Sequence, residues 1–130
     1  MNEIFSVNVS EAAEAQLGGA EVAGKIIAGT GRGRLVTRGT GVMLVHLNLD
    51  AGFDQNGHTH ADNESIGYVV SGKVRMRVGD VTRVLRAGDT WYHPRGIEHT
   101  SEILESAEIL EFHAPLRPDL LELFAVDKEQ

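Results

Sequence analysis

Short β-prone segments recur about every ten residues along this chain, and glycine, proline or aspartate separates them. Gly79-Asp80, between two such segments, predicts a tight hairpin. Because the segments follow one another without intervening helices, they favour an all-β antiparallel sandwich or barrel. The predicted strands are Val42–Leu49, Ile66–Val70, Lys73–Val78, Val81–Leu85, Trp91–His93, His99–Glu102 and Ala107–His113.

The two ends of the chain differ from this pattern. The 130 residues suit one domain with one core, so we expect a single domain over residues 1–130. Residues 1–24 are predicted to form a peripheral arm in which Ser10 caps a short helix. The glycines at 29–33 predict a turn or flap, and residues 119–124 predict a closing helical turn.

Charge and composition limit the partners of the chain. The net charge is −7, which disfavours nucleic acid and anionic membranes because both are bound through clustered Lys and Arg. The N-terminus shows neither a signal peptide nor a membrane span, so we expect a cytoplasmic protein. The chain has no cysteine, which leaves histidine and carboxylate as the metal ligands to consider.

A His-x-His pair, His58 and His60, stands between a glycine and an apolar segment. Residues two apart on a strand share a face, about 7 Å apart at the backbone, so both imidazoles can converge on one ion. The same pair also occurs as ordinary surface histidines, so the pair alone leaves both interpretations open.

Two His-bearing stretches together resemble the paired motifs of the cupin superfamily. Gly52 is followed after five residues by His58-Thr-His60, and Gly88 is followed after five residues by Pro94-Arg-Gly96 and then by His99. Ile103 stands where the family usually has Asn. The resemblance covers about residues 35–121 and implies a double-stranded β-helix, or jelly-roll, barrel. It further implies one divalent metal ion, bound by His58, His60 and His99, and the imidazole set suits Zn, Fe, Mn, Ni or Cu.

The fourth ligand departs from the family pattern. Counting back from Gly72 places the family's glutamate position at Ser65, whereas the carboxylate is at Glu64. Alternation puts these two side chains on opposite faces, so Glu64 coordinates only if the strand bulges there. We expect Glu64 as the fourth ligand, with water as the alternative.

Two further stretches resemble the KdgF-type cupins of uronate and pectin breakdown: residues 64–72 and 110–121. Those proteins promote ring opening of an unsaturated uronate to a linear keto acid. The resemblance places Glu111 at their cavity acid and Arg117 at their arginine. This chain departs from them at Ser65, which replaces Gln, at Glu111, which replaces Asp, and at His113, which replaces Phe.

Other polar side chains are candidates for the cavity wall. Glu111 and His113 share a strand face, so both or neither should line the cavity, where one of them would move a proton. Arg117 is expected either to bind an anionic substrate or to form a surface ion pair. His93 would lie beside His99 or serve as a buried structural histidine, and His46 would line the opposite wall or face solvent.

Three functions fit these expectations. The first is an enzyme whose metal acts as a Lewis acid on a small anionic substrate such as a sugar acid or keto acid, in isomerisation, ring opening or lyase chemistry. The second is an Fe(II) dioxygenase, and the third is a barrel that binds or senses a small ligand without changing it. The resemblance also implies a homodimer, since small cupin barrels tend to exchange edge strands.

Overall fold

Two long antiparallel strands, β7 (Glu64–Val78) and β10 (His99–Ala114), form the centre of the fold. The computed structural model describes residues 5–22 and 24–124, without the side chains of Asn56 and His58. The other strands are β1 (Ala15–Gln16), β2 (Glu21–Val22), β3 (Lys25–Ile26), β4 (Gly31–Arg38), β5 (Met43–Leu49), β6 (Asp54–His58), β8 (Val81–Arg86) and β9 (Thr90–His93). The all-β prediction is therefore confirmed.

Both long strands take part in two layers. Residues 108–114 of β10 pair with β5 and with residues 64–71 of β7, and β4, β1 and β9 extend this first layer. Residues 99–103 of β10 pair with β6 and with residues 74–78 of β7, and β8 completes the second layer. The register of β10 shifts between Ile103 and Ile109, at the passage from one layer to the other. The strands predicted at Ile66–Val70 and Lys73–Val78 are thus one continuous strand, β7, and those predicted at His99–Glu102 and Ala107–His113 are one continuous strand, β10.

Gly72 allows β7 to make the same passage. Its φ is +97°, and a Cβ there would lie 2.4 Å from the carbonyl oxygen of Ser106. Only glycine meets both demands without displacing the backbone of β10. The two layers can therefore close face to face over one apolar core.

The core lies between the layers and follows strand alternation. Met43, Val45, Leu47 and Leu49 share one face of β5 and point inward. Each such buried side chain contributes about 1.5–3 kcal/mol. The remaining large residues of the core include Val69, Val74, Met76, Ile103 and Ile109.

The N-terminal prediction needs correction. Asn8, not Ser10, caps a short 3-10 turn, Val9–Glu11, and the predicted helix is replaced by β1, which pairs with β4. Leu17 and Val22 are buried in the core, so this segment is not merely peripheral. The physical reason is that both residues fill one end of the space between the layers. Residues 1–4 of the predicted arm and residue 23 lie outside the described residues.

The predicted glycine turn at 29–33 is wrong over most of its length. Gly31 and Gly33 belong to β4, and a Cβ on Gly33 would lie 2.8 Å from the side chains of Leu47 and Phe124. These glycines provide space for neighbouring side chains. Helix α1 (Pro118–Leu123) confirms the predicted closing turn, and Leu120 and Phe124 pack against the core. Within the described residues, no helix has the length and apolar character needed to span a membrane.

Candidate metal centre

The histidines of the two motifs meet at one end of the barrel. His58, the last residue of β6, is the backbone partner of His99, the first residue of β10. His60 follows in the next loop, where its carbonyl oxygen accepts from the backbone N–H of Gly96 at 2.8 Å. The ring centroids of His60 and His99 are 5.8 Å apart. The fold thus brings two predicted ligands together, while the side chain of His58 lies outside the described residues.

His93 stacks on His99. Their ring centroids are 3.7 Å apart and the ring planes differ by 12°. His93 Nδ1 lies 3.3 Å from Ser65 Oγ, and Nε2 lies 3.3 Å from Met76 Sδ. His93 was expected either to lie beside His99 or to be a buried structural histidine. It is both buried and beside His99. Met76 was not predicted as a site residue, although its parity with buried Val74 would have placed it inside.

Glu64 is not brought to these histidines. Its side chain lies on the outer face of β7, where it accepts a hydrogen bond from the hydroxyl of Tyr92 at 2.8 Å and lies 3.8 Å from Arg95. Ser65 points inward and is buried. The predicted alternation at 64 and 65 is observed, and no bulge at this point turns Glu64 inward.

Glu111 and His113 form a pair on the inner face of β10, in which His113 is buried and Glu111 is partly buried. His113 Nε2 lies 3.1 Å from Glu111 Oε1. Burial by itself would raise the pKa of Glu111, but the hydrogen bond with His113 and the positive charges of His113, His93 and Arg117 together lower this pKa to about 2. The carboxylate is consequently ionised at neutral pH.

Arg117 precedes α1 and is buried. Its Nε and Nη2 donate to the two carboxylate oxygens of Asp119, at 3.2 and 2.6 Å. Burial alone would raise the pKa of Asp119, but the hydrogen bond and charge of Arg117 outweigh it and lower the pKa. Asp119 was not predicted as a site residue; its position in Arg117-Pro118-Asp119, at a helix start, is the signal that could have identified it.

Two spaces adjoin these groups. A cavity of about 40 Å³ inside the barrel has Gln55, Ser101, Glu111 and Arg117 on a wall that is otherwise mainly apolar. A groove of about 260 Å³ lies at the barrel mouth, between the loop at 59–63 and residues 115–119. Because Arg117 lines both spaces, it connects the groove beside His60 with the cavity that contains Glu111. We call the groove between residues 59–63 and 115–119 the mouth groove.

The sequence pattern of the family described as "Cupin domain" matches residues 45–114, more than half of the chain. This chain belongs to the cupin family. The solved structure of KdgF from Halomonas sp. is similar to this cupin over 70% of this chain and 84% of its own, with 27% sequence identity and a TM-score of 0.67. No protein in a search of curated proteins matches it.

Two other solved structures support the fold of this cupin. An RmlC-like cupin from Shewanella frigidimarina has a TM-score of 0.76 and 23% identity, covering 92% of this chain and 96% of its own. A predicted oxalate decarboxylase from Thermotoga maritima has a TM-score of 0.73 and 18% identity, covering 86% of this chain and 100% of its own. The double-stranded β-helix of the first layer and second layer is thus the cupin barrel that the motifs implied.

His46 does not line the cavity of this cupin, which corrects the expectation that it would form the opposite wall. On β5 the inward positions are Val45 and Leu47, so His46 is on the outer face of the first layer. It is buried there, with Nε2 2.7 Å from Glu108 Oε2. His46 therefore neither lines the cavity nor faces solvent.

A complete metal cluster is not found among the side chains that the structure describes, a set that omits His58. His60 and His99 are the described imidazoles at the predicted centre. Imidazole nitrogens suit divalent Zn, Fe, Mn, Ni and Cu, so the donor chemistry of this end of the barrel fits the metal that the motifs imply.

Proposed function

We propose that this cupin is a metal-dependent enzyme that acts on a small anionic molecule, such as a sugar acid or keto acid, by isomerisation, ring opening or lyase chemistry. One observation carries the proposal: the mouth groove has His60 and Arg117 on its walls, and Arg117 also reaches the cavity that contains Glu111. A ligand bound in the mouth groove would contact His60 and the buried cation of Arg117 together.

The proposed metal ligands are His58, His60 and His99. Since Glu64 is engaged with Tyr92 on the outer face, the remaining coordination positions are proposed to be open to water or substrate. A divalent ion held in this way supplies Lewis-acid activation of a substrate oxygen.

Arg117 is proposed to bind the carboxylate of the substrate. A guanidinium offers five N–H donors. In Arg117, Nε and Nη2 each donate one hydrogen bond to Asp119. The remaining donor capacity suits an anionic group, and the pair with Asp119 fixes the plane of the guanidinium. This arrangement favours anions over neutral sugars.

Glu111 is proposed to accept a proton from the substrate. With a pKa of about 2 it is fully ionised but weakly basic. An anionic ligand beside Arg117 would offset the positive charge that lowers this pKa, and so would make Glu111 a stronger base only when substrate is bound. His113, hydrogen-bonded to Glu111, would then orient the carboxylate and exchange the proton with it.

Ring opening of an unsaturated uronate is the reaction that the KdgF likeness favours. The Halomonas KdgF has 27% identity to this cupin, and the resemblance of residues 110–121 includes Glu111 and Arg117. Glu111 has one more methylene than the Asp of that family, and His113 replaces Phe beside it. These changes would alter the reach of the carboxylate, so the substrate need not be identical.

The test is turnover of unsaturated uronates and related sugar acids by metal-loaded protein. Under argon with Zn(II) or Mn(II), we expect product formation by the wild type and a loss of at least about 100-fold in kcat/KM for Glu111→Gln, the range typical of a removed acid–base group. Leu121→Ala, on the neighbouring helix, is the matched control. Oxygen consumption coupled to substrate loss with Fe(II) would instead indicate a dioxygenase, and binding without turnover would indicate a ligand-binding barrel.

The proposed working unit is a homodimer with a small molecule as its ligand.

A further inference from the structure

A groove of about 210 Å³ lies on one side of the barrel, between β8 of the second layer and β9 of the first layer. Among the described residues, each of these strands pairs with β7 alone, so both are edge strands. We call this space the side groove. Its lining residues are Met76, Val78, Val81, Arg83, Leu85, Thr90, Trp91 and Tyr92. Met76, Leu85 and Trp91 belong to the core, so the side groove reaches the core from the flank of the barrel.

Trp91 brings an unused hydrogen-bond donor to this wall. Its indole ring lies over Gly67, its register partner on β7, and a Cβ on Gly67 would overlap that ring. The indole N–H is enclosed and finds no acceptor among the residues that the structure describes. An enclosed N–H without an acceptor is unfavourable, because it has lost its hydrogen bonds to water. A ligand oxygen that reached Trp91 from the side groove would remove this penalty.

Arg83 is the one charged residue among the described residues that line the side groove. It shares a face of β8 with buried Leu85, so its side chain leaves the strand on the groove side. Within the described part of the chain, no carboxylate forms an ion pair with its guanidinium, whereas Arg75 and Arg77 on neighbouring β7 pair with glutamates at 2.7 and 3.0 Å. A cation with available donors therefore stands beside apolar walls.

Apolar walls with one available guanidinium suit an amphipathic anion. We propose that the side groove is a second binding site, which takes a small carboxylate with an apolar body. The carboxylate contacts Arg83, and the body lies against Val81, Leu85 and Trp91. Pockets for drug-sized ligands have roughly 300–1,000 Å³, so the smaller side groove suits a body of a single ring. Binding at this site does not depend on the proposed enzymatic activity, because none of these residues lines the mouth groove.

Met76 separates the side groove from the cavity inside the barrel, since its side chain is on the wall of both spaces. Its Sδ lies 3.3 Å from His93 Nε2, and His93 stacks on His99. A methionine side chain is unbranched and flexible, so it can shift to admit a ligand. A ligand that displaced Met76 would therefore alter the packing of His93 as well.

Trp91 is the only tryptophan of the chain, so tryptophan fluorescence reports on the side groove directly. Titration with cyclohexanecarboxylate should change the emission of the wild type saturably. Cyclohexanemethanol lacks the charge and acetate lacks the ring, so each should bind at least about 10-fold more weakly. Arg83→Gln should raise the dissociation constant of cyclohexanecarboxylate by at least about 10-fold, because it removes a hydrogen bond between charged groups. Arg86→Gln, on the other face of β8, is the matched control and should bind like the wild type.

A second pair of variants on β8 tests the same site with little risk to folding, which far-UV circular dichroism and thermal unfolding verify. Val81 is 55% exposed on the groove wall, and Val84 is 38% exposed on the opposite face. Val81→Glu should repel the probe and abolish binding, whereas Val84→Glu should not. No saturable response of the wild type, or unchanged affinity in folded Arg83→Gln and Val81→Glu, would overturn the proposal. A response lost in Arg117→Gln and kept in Arg83→Gln would place the probe in the mouth groove and would overturn it too.

Discussion

His93 is fixed on three sides at the scale of a single residue. It stacks on His99 at 3.7 Å, and Ser65 and Met76 contact its two ring nitrogens. Because the ring planes of His93 and His99 are nearly parallel, rotation of the His99 ring would break the stack. His93 is thus placed to orient His99, a proposed metal ligand.

Two replacements of His93 distinguish the effect of its stacked ring on His99 from the effect of its polar nitrogens. His93→Phe keeps a ring against His99, whereas His93→Ala removes it, so we expect only the alanine variant to lower metal affinity, by about 10–100-fold as for other groups that orient ligands. Competition with a chromophoric chelator measures the affinity. Equal affinities for folded wild type and His93→Ala would contradict the orienting role.

The pKa of Glu111 links this residue to acid stability. The value falls from 4.5 to about 2 on folding, so the carboxylate stabilises the fold above pH 4.5 and loses that contribution as pH decreases from 4.5 toward 2. The contribution is about 3 kcal/mol at neutral pH. In urea unfolding, Glu111→Gln should therefore be less stable than the wild type at pH 7, and the difference should shrink at pH 3. A constant difference between pH 7 and pH 3 would show that the carboxylate charge is not responsible.

The elements that the sequence predicted best are those whose signal is local. The hairpin around Gly79-Asp80 depends on turn chemistry, and the strand predicted at Val42–Leu49 depends on a run of β-prone residues. Both are observed. The N-terminal segment was mispredicted because its role is set by distant residues. Nothing near Gly33 indicates that Phe124 will need the space of its missing side chain.

The arm supplies a prediction of its own. Leu17 is 4% exposed and packs into the end of the core, so Leu17→Ala should destabilise the fold by about 2–5 kcal/mol. Val81→Ala, at a position that is 55% exposed, should change stability by less than about 0.5 kcal/mol. Chemical denaturation of both variants measures the difference. If Leu17→Ala matched Val81→Ala, the arm would be a peripheral attachment after all.

At the scale of the whole molecule, one fold places the Arg75–Glu102 and Arg77–Glu98 pairs on the outer face of the second layer and the histidines at one end of the barrel. Motif spacing identified His60 and His99 because the cupin barrel brings fixed positions of distant strands together. It could not place Glu64, since the direction of that side chain depends on whether β7 bulges. It also could not show that His46 lies outside, because the face of β5 formed by Leu44, His46 and Asn48 mixes apolar and polar side chains and suits either a cavity wall or solvent.

The central claim is that this end of the barrel binds one divalent metal ion through histidines, and metal analysis tests it most directly. Untagged protein, purified without added metal, is compared by mass spectrometry of its elements with His60→Ala and His99→Ala, and with His46→Ala as the control outside the barrel. We predict close to one equivalent of Zn, Fe, Mn, Ni or Cu in the wild type and in His46→Ala, and loss of that metal in the other two. A folded wild type that binds none of these ions, even when they are supplied, would contradict the account.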